Sequence, residues 1–92
     1  MSKKTFDSVW DALENTAGEA ANLRARADLM VAVRELVESK GWTQAEAARR
    51  CGVTQPRIND LLRGRISKFS LDALVNMAAA VGLRVALHVK AA

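Results

Sequence analysis

The chain has 92 residues, half of them hydrophobic, with five glycines, one proline, no tyrosine and a formal net charge of +4. That length supports one small domain with a modest core, and a composition rich in alanine and leucine but poor in glycine and proline favours helices. A single cysteine, Cys51, and a single histidine, His88, exclude an internal disulfide and a Cys/His zinc site.

No carboxylate pair or Gly-rich phosphate loop marks an enzyme, a Cys51–His88 dyad would have to be assembled by folding, and no cofactor is expected. No apolar run approaches the roughly 20 residues of a membrane span, and the start MSKKTFDS leads into no signal-peptide stretch. The expectation is a cytoplasmic protein with no membrane partner.

Charge is unevenly spread. From Thr5 to Ser39, Asp7, Asp11, Glu14, Glu19, Asp28, Glu35 and Glu38 stand against three arginines, a net of −4. From Arg49 to Lys68, Arg49, Arg50, Arg57, Arg63, Arg65 and Lys68 stand against Asp60, a net of +5. An acidic half followed by a basic stretch predicts two surfaces, the second suited to phosphates; the alternative is a merely solvated charged face.

In chain order, Ser8–Glu14 predicts a short helix, with Val9, Trp10 and Leu13 apolar, interrupted by Asn15-Thr16-Ala17-Gly18. A longer helix follows from Glu19 to Lys40, where Leu23, Ala27, Met30, Val33 and Val37 recur at three- and four-residue steps, and Gly41 ends it. Helices over 43–51, 55–63 and 71–81 come next, with a turn at Cys51-Gly52-Val53 and stops at Gly64 and Gly82. In the tail, Leu83, Val85, Leu87 and Val89 alternate with more polar neighbours, which predicts a half-buried strand. A lone strand needs a partner, and the same strand in a second copy is the simplest one; the alternative is a short strand near Lys3–Phe6. The domain reading is an acidic segment over 1–18, a helical domain over 19–82 and a dimerising strand over 83–92. The expected fold is mainly α, five helices and one strand, in a homodimer.

The dipeptide Thr-Gln occurs at 43–44 and again at 54–55. Thr43-Gln44-Ala45-Glu46 fits the capping box, in which Glu46 reaches back to the amide of Thr43, and Trp42 can staple onto Ala47. The second start keeps the cap, Thr54, and the staple, Val53 with Ile58, and Pro56 is tolerated in a first turn. Arg57 replaces the glutamate. A cation beside the positive end of a helix dipole is locally unfavourable, so this start is expected to meet an external anion.

With Ala48 where two helices cross, Gly52 in the turn, and Val53, Ile58 and Leu61 inward, the segment resembles the helix-turn-helix of the phage-repressor-like (Xre) family. LLRGR and SLDALVNMAAAVG extend the resemblance over about residues 20–82. It implies that Thr43 and Gln44 touch phosphates, and that Thr54, Gln55, Arg57, Asn59 and Asp60 lie on or beside the base-reading face. Arg63, Arg65 and Lys68 would grip phosphates. Pro56 departs from many family members. Chemically, Gln pairs with adenine and Arg with guanine, whereas basic side chains on phosphates carry affinity without sequence information. Asp60 either accepts from cytosine or steadies Arg57 or Arg63. Cys51 reads as a small core residue.

Taken whole, with SVWDALENT and EAANLRARADLM ahead of the motif, the chain resembles the HigA-type antitoxins of that family. The resemblance implies a RelE/HigB-like ribonuclease toxin as partner, a palindromic double-stranded DNA operator, and repression of the chain's own operon. An acidic N-terminal half suits a basic, RNA-binding toxin, with Trp10 as a candidate anchor. A stand-alone phage- or plasmid-type repressor is the alternative.

Overall fold

The computed structural model describes residues 3–91, with side chains from Thr16 onward. Four α-helices and one 3₁₀ turn make up its regular structure: α1 Lys3–Lys40, α2 Gln44–Cys51, α3 Gln55–Leu62, the turn Ile66–Lys68, and α4 Leu71–Ala80.

The structure departs from the sequence expectation in α1 and in the tail. The short helix and the long one are a single helix, α1, of 38 residues, which passes through Asn15 to Gly18 without a break. A mid-helix glycine weakens a helix by only about 1 kcal/mol relative to alanine and removes no hydrogen bond, and no proline is present to force a stop. At 1.5 Å per residue α1 is about 57 Å long, matching the 56 Å long axis of the molecule. Residues 16–24 are all exposed, so this stretch of α1 stands clear of the core that the helix enters from Ala25 onward. Val9, Trp10 and Leu13 fall outside the described side chains.

The tail is not a strand. The described residues contain no β-strand, so the expected five-helix domain with a C-terminal strand is replaced by four helices and an irregular end. Alternation supplies a two-faced segment but not a ladder, and residues 3–6, the alternative partner, are helical. Leu83 packs against the core. Val85, Ala86 and Leu87 line a groove with Leu29 of α1 and Leu71 and Val75 of α4.

The core gathers Met30, Val33 and Val37 from α1, Ala47, Ala48 and Cys51 from α2, and Ile58 and Leu61 from α3. Phe69 and α4's Leu74, Met77 and Ala78 complete it. Spacings of three and four bring these side chains onto one face of each helix. Burial pushes the Cys51 thiol above its ordinary pKa, as suits a packing residue.

All four helices end in the same way. The amides of Gly41 and Trp42 bond to the carbonyls of Glu38 and Val37, those of Gly52 and Val53 to Arg49 and Ala48. Gly64 and Arg65 bond likewise to Leu61 and Asp60, and Gly82 and Leu83 to Ala79 and Ala78. This is the Schellman pattern, and it turns the chain sharply enough to lay each following segment back on the core. Between α2 and α3 it is decisive: Gly52, at φ +72°, holds the left-handed backbone of the turn.

Candidate nucleic-acid interface

Each of the two Thr-Gln starts is capped as the sequence predicts. The Thr43 hydroxyl accepts from the Glu46 amide at 3.1 Å, and the Thr54 hydroxyl from the Arg57 amide at 3.4 Å. Trp42 and Val53, the residues before the caps, both pack on the core that contains Ala47 and Ile58. Gln44 and Gln55 therefore occupy the same place on two successive helices, exposed at the first position.

The two starts then diverge, though not in the expected manner. Glu46 does not reach back to Thr43. Its carboxylate instead takes both nitrogens of an Arg49 fork and the Nε of Arg50 at 2.7 Å, and these hydrogen bonds hold its pKa below the ordinary value. Two cations one turn further on outcompete a single amide. Arg50 also lies 5.0 Å over the Trp42 ring. Arg49 and Arg50 are thus engaged on the outside of the supporting helix.

On α3, Arg57 is turned away from the exposed start. Its guanidinium lies 4.1 Å over the Phe69 ring and donates to the Lys68 carbonyl at 2.6 Å. Asp60 pairs with neither Arg57 nor Arg63; its partner is Arg65, at 3.0 Å. The cap at Gly64 explains the choice, because the Arg65 amide bonds to the Asp60 carbonyl at 2.9 Å and brings the two side chains together. Gln55 and Asn59 of α3 and its C-cap residue Arg63 recur at four-residue steps, and none of their side chains makes a hydrogen bond or ion pair among the described residues. Lys68 is exposed and equally unengaged.

The turn 65–69 carries two of the expected phosphate-gripping cations and is tied down from α1. Arg26 donates to the carbonyls of Ile66 at 3.1 Å and Phe69 at 3.3 Å, and Asn22 accepts from its Nε at 2.6 Å. Sequence reasoning singled out neither Arg26 nor Phe69. Arg26 lies 40 residues from its acceptor, a separation no local pattern reports. Phe69, between a basic run and the cap Ser70, offered a clue as an isolated aromatic.

Among the described residues no group of three or more His, Cys, Asp or Glu side chains is placed to hold a metal ion, and no helix is long and apolar enough to cross a membrane. What the geometry does offer is a supporting helix closed on itself, a left-handed turn, and a second helix presenting an amide and a cation outward above a basic turn. Fold and site together define a helix-turn-helix protein. Residues 12–90 match the HTH_37 helix-turn-helix domain, and the chain belongs to that family. A solved structure bearing the name XRE-family transcriptional regulator shares the fold, with a TM-score of 0.73 at 23% identity, over 80% of this chain and 83% of that one. No curated protein matches the chain.

Proposed function

We propose that the protein is a sequence-specific transcriptional repressor that binds a palindromic operator as a homodimer. In its finer role it is the antitoxin of a type II toxin–antitoxin system, neutralising a RelE/HigB-like ribonuclease toxin and repressing its own operon. One observation carries the DNA reading: Gln55, Asn59 and Arg63 lie along α3 with no partner of their own, above a turn that carries Arg65 and Lys68. Gln55 and Asn59 are the base readers, each able to pair with adenine, with Thr54, Arg57 and Asp60 beside them. Gln44, Thr43, Arg63, Arg65 and Lys68 meet phosphates. Half-sites lie about one helical turn, roughly 10 bp, apart.

The dimer rests on the apolar tail. Leu87 and Val89 are 85% and 84% exposed, beside Val85 at 43%, and a second copy would cover them through side-chain packing rather than a β-ladder. Leu83 packs on its own core and so is not part of that face.

The antitoxin role is supported by the net charge of −4 over residues 5–39, which suits a basic partner, and by the exposed stretch 16–24 of α1, which leaves helix surface open to one. Two experiments decide. Selection from random duplexes followed by sequencing should enrich a palindrome; no enrichment would sink the operator reading. Co-expression with the neighbouring open reading frame should give a stable complex that silences a ribonuclease. Operator binding without such a complex would leave a stand-alone repressor.

A further inference from the structure

Arg57 stands in the first turn of α3, where a helix-turn-helix protein meets base edges, yet its guanidinium is engaged by the protein's own turn 65–69. The guanidinium stacks 4.1 Å above the ring of Phe69, a residue only 2% exposed, and reaches the Lys68 carbonyl at 2.6 Å. From the other side Arg26 holds the carbonyls of Ile66 and Phe69, and is itself steadied by Asn22. Three of the four carbonyls from Ile66 to Phe69 are therefore held by two guanidinium groups, one from α1 and one from α3. Arg65, at the near end of the same turn, is fixed by Asp60.

The geometry points to Arg57 as a positioning residue: with Arg26 it clasps the turn 65–69 and sets Arg65 and Lys68 in register with the reading helix, while base recognition falls to Gln55 and Asn59. The inference rests on the DNA-binding reading and deepens it. A planar fork that stacks on a ring while donating in its own plane suits the task, and a point-charge ammonium does not reproduce both contacts. The cation near the positive end of the α3 dipole, unexplained by helix stability, is also accounted for. It is held by a ring face and a carbonyl on a neighbouring segment.

The test uses the full chain with Arg57→Gln, Arg57→Lys and Arg26→Gln. Fluorescence anisotropy is read on a selected operator duplex and on a mixed-sequence duplex across a salt series, with hydrogen exchange of the 65–69 amides in the free protein. Arg57→Gln is expected to weaken both duplexes by the same factor, about tenfold on the scale of one charge-assisted hydrogen bond with its ring contact. The operator-to-mixed ratio stays constant. The salt slope should fall by more than the roughly one unit that a single phosphate contact accounts for, because Arg65 and Lys68 lose register together. Loss of folded protein alone would lower apparent affinity without changing that slope.

Arg26→Gln, on the far side of the turn, should reproduce the pattern, and both variants should speed exchange at 65–69. Arg57→Lys should remain several-fold weak. A collapsed operator-to-mixed ratio in Arg57→Gln, with exchange at 65–69 unchanged, would make Arg57 a base reader and overturn the inference. Wild-type affinity in Arg57→Lys would overturn it too. Wild-type protein that bound neither duplex would remove the DNA-binding reading, and the inference with it; a fault in the clasp alone leaves wild-type binding intact.

Discussion

The Asp60 carboxylate lies 3.0 Å from the Arg65 guanidinium, with Asp60 largely covered and Arg65 about half exposed. The only acid in the basic stretch is thus paired with a cation beside the reading helix. Such a pair contributes about 0.2–1 kcal/mol to folding. Asp60→Asn should therefore shift the urea midpoint only slightly. It should also raise affinity for mixed-sequence DNA several-fold, because it removes a negative charge beside Arg65 while an amide oxygen remains to accept from it. Unchanged mixed-sequence binding would show that Arg65 does not face phosphates.

Gln55 and Arg63 share a face of α3 but should fail differently when shortened. Gln55→Ala is expected to cost about 1–3 kcal/mol on the operator and to relax preference at one base pair. Arg63→Ala should weaken every duplex alike and lower the salt slope by about one. Titrations of wild type and both variants on operator and single-base variants separate the two.

Glu46 gives a pH dependence whose sign is fixed. Hydrogen bonds from Arg49 and then Arg50 hold its pKa below the ordinary 4.5. Its contribution is accordingly full above that value and is lost as pH falls through the lower, folded-state pKa. Urea midpoints of wild type and Glu46→Gln should differ at pH 7 and draw together as the pH falls below 4.5 and through the lowered pKa. A gap that persists in acid would mean that the ion pairs contribute nothing.

Packing between α2 and α3 leaves little room. Ala48 is 4% exposed, so Ala48→Leu should cost about 1–3 kcal/mol through overpacking. Gly52→Ala meets no neighbouring atom within 4 Å, yet it must adopt φ +72°, and should cost about 1–2 kcal/mol from backbone strain alone. Thermal melts give both values, and equal stability of Gly52→Ala with wild type would contradict the left-handed turn.

Truncation after Leu83 should yield a monomer by light scattering with its helices intact by circular dichroism, because Leu83 is the last tail residue packed on the core. Leu87→Asp should do the same within the full chain. A persistent dimer in both would place the dimer face elsewhere.

Whatever a few neighbouring residues settle was legible in the chain. Thr43, Thr54 and Ser70 cap helices because each hydroxyl meets an amide three residues on. Gly41, Gly52, Gly64 and Gly82 all take positive φ, the conformation a Schellman cap requires. The spacing of Ala48, Gly52, Ile58 and Leu61 fixed the motif for the same reason. Competition between neighbours is local too: Glu46 took two arginines of its own helix and Asp60 took Arg65 five residues on, whereas tertiary structure decided what depends on a distant partner, such as the turning of Arg57 onto Phe69. It also left the tail's alternating residues with no strand to pair with among the described residues. Arg26, 40 residues from Ile66, belongs to the same class. Local patterns report which bonds a residue is able to make, and only the folded chain brings the distant acceptors within reach.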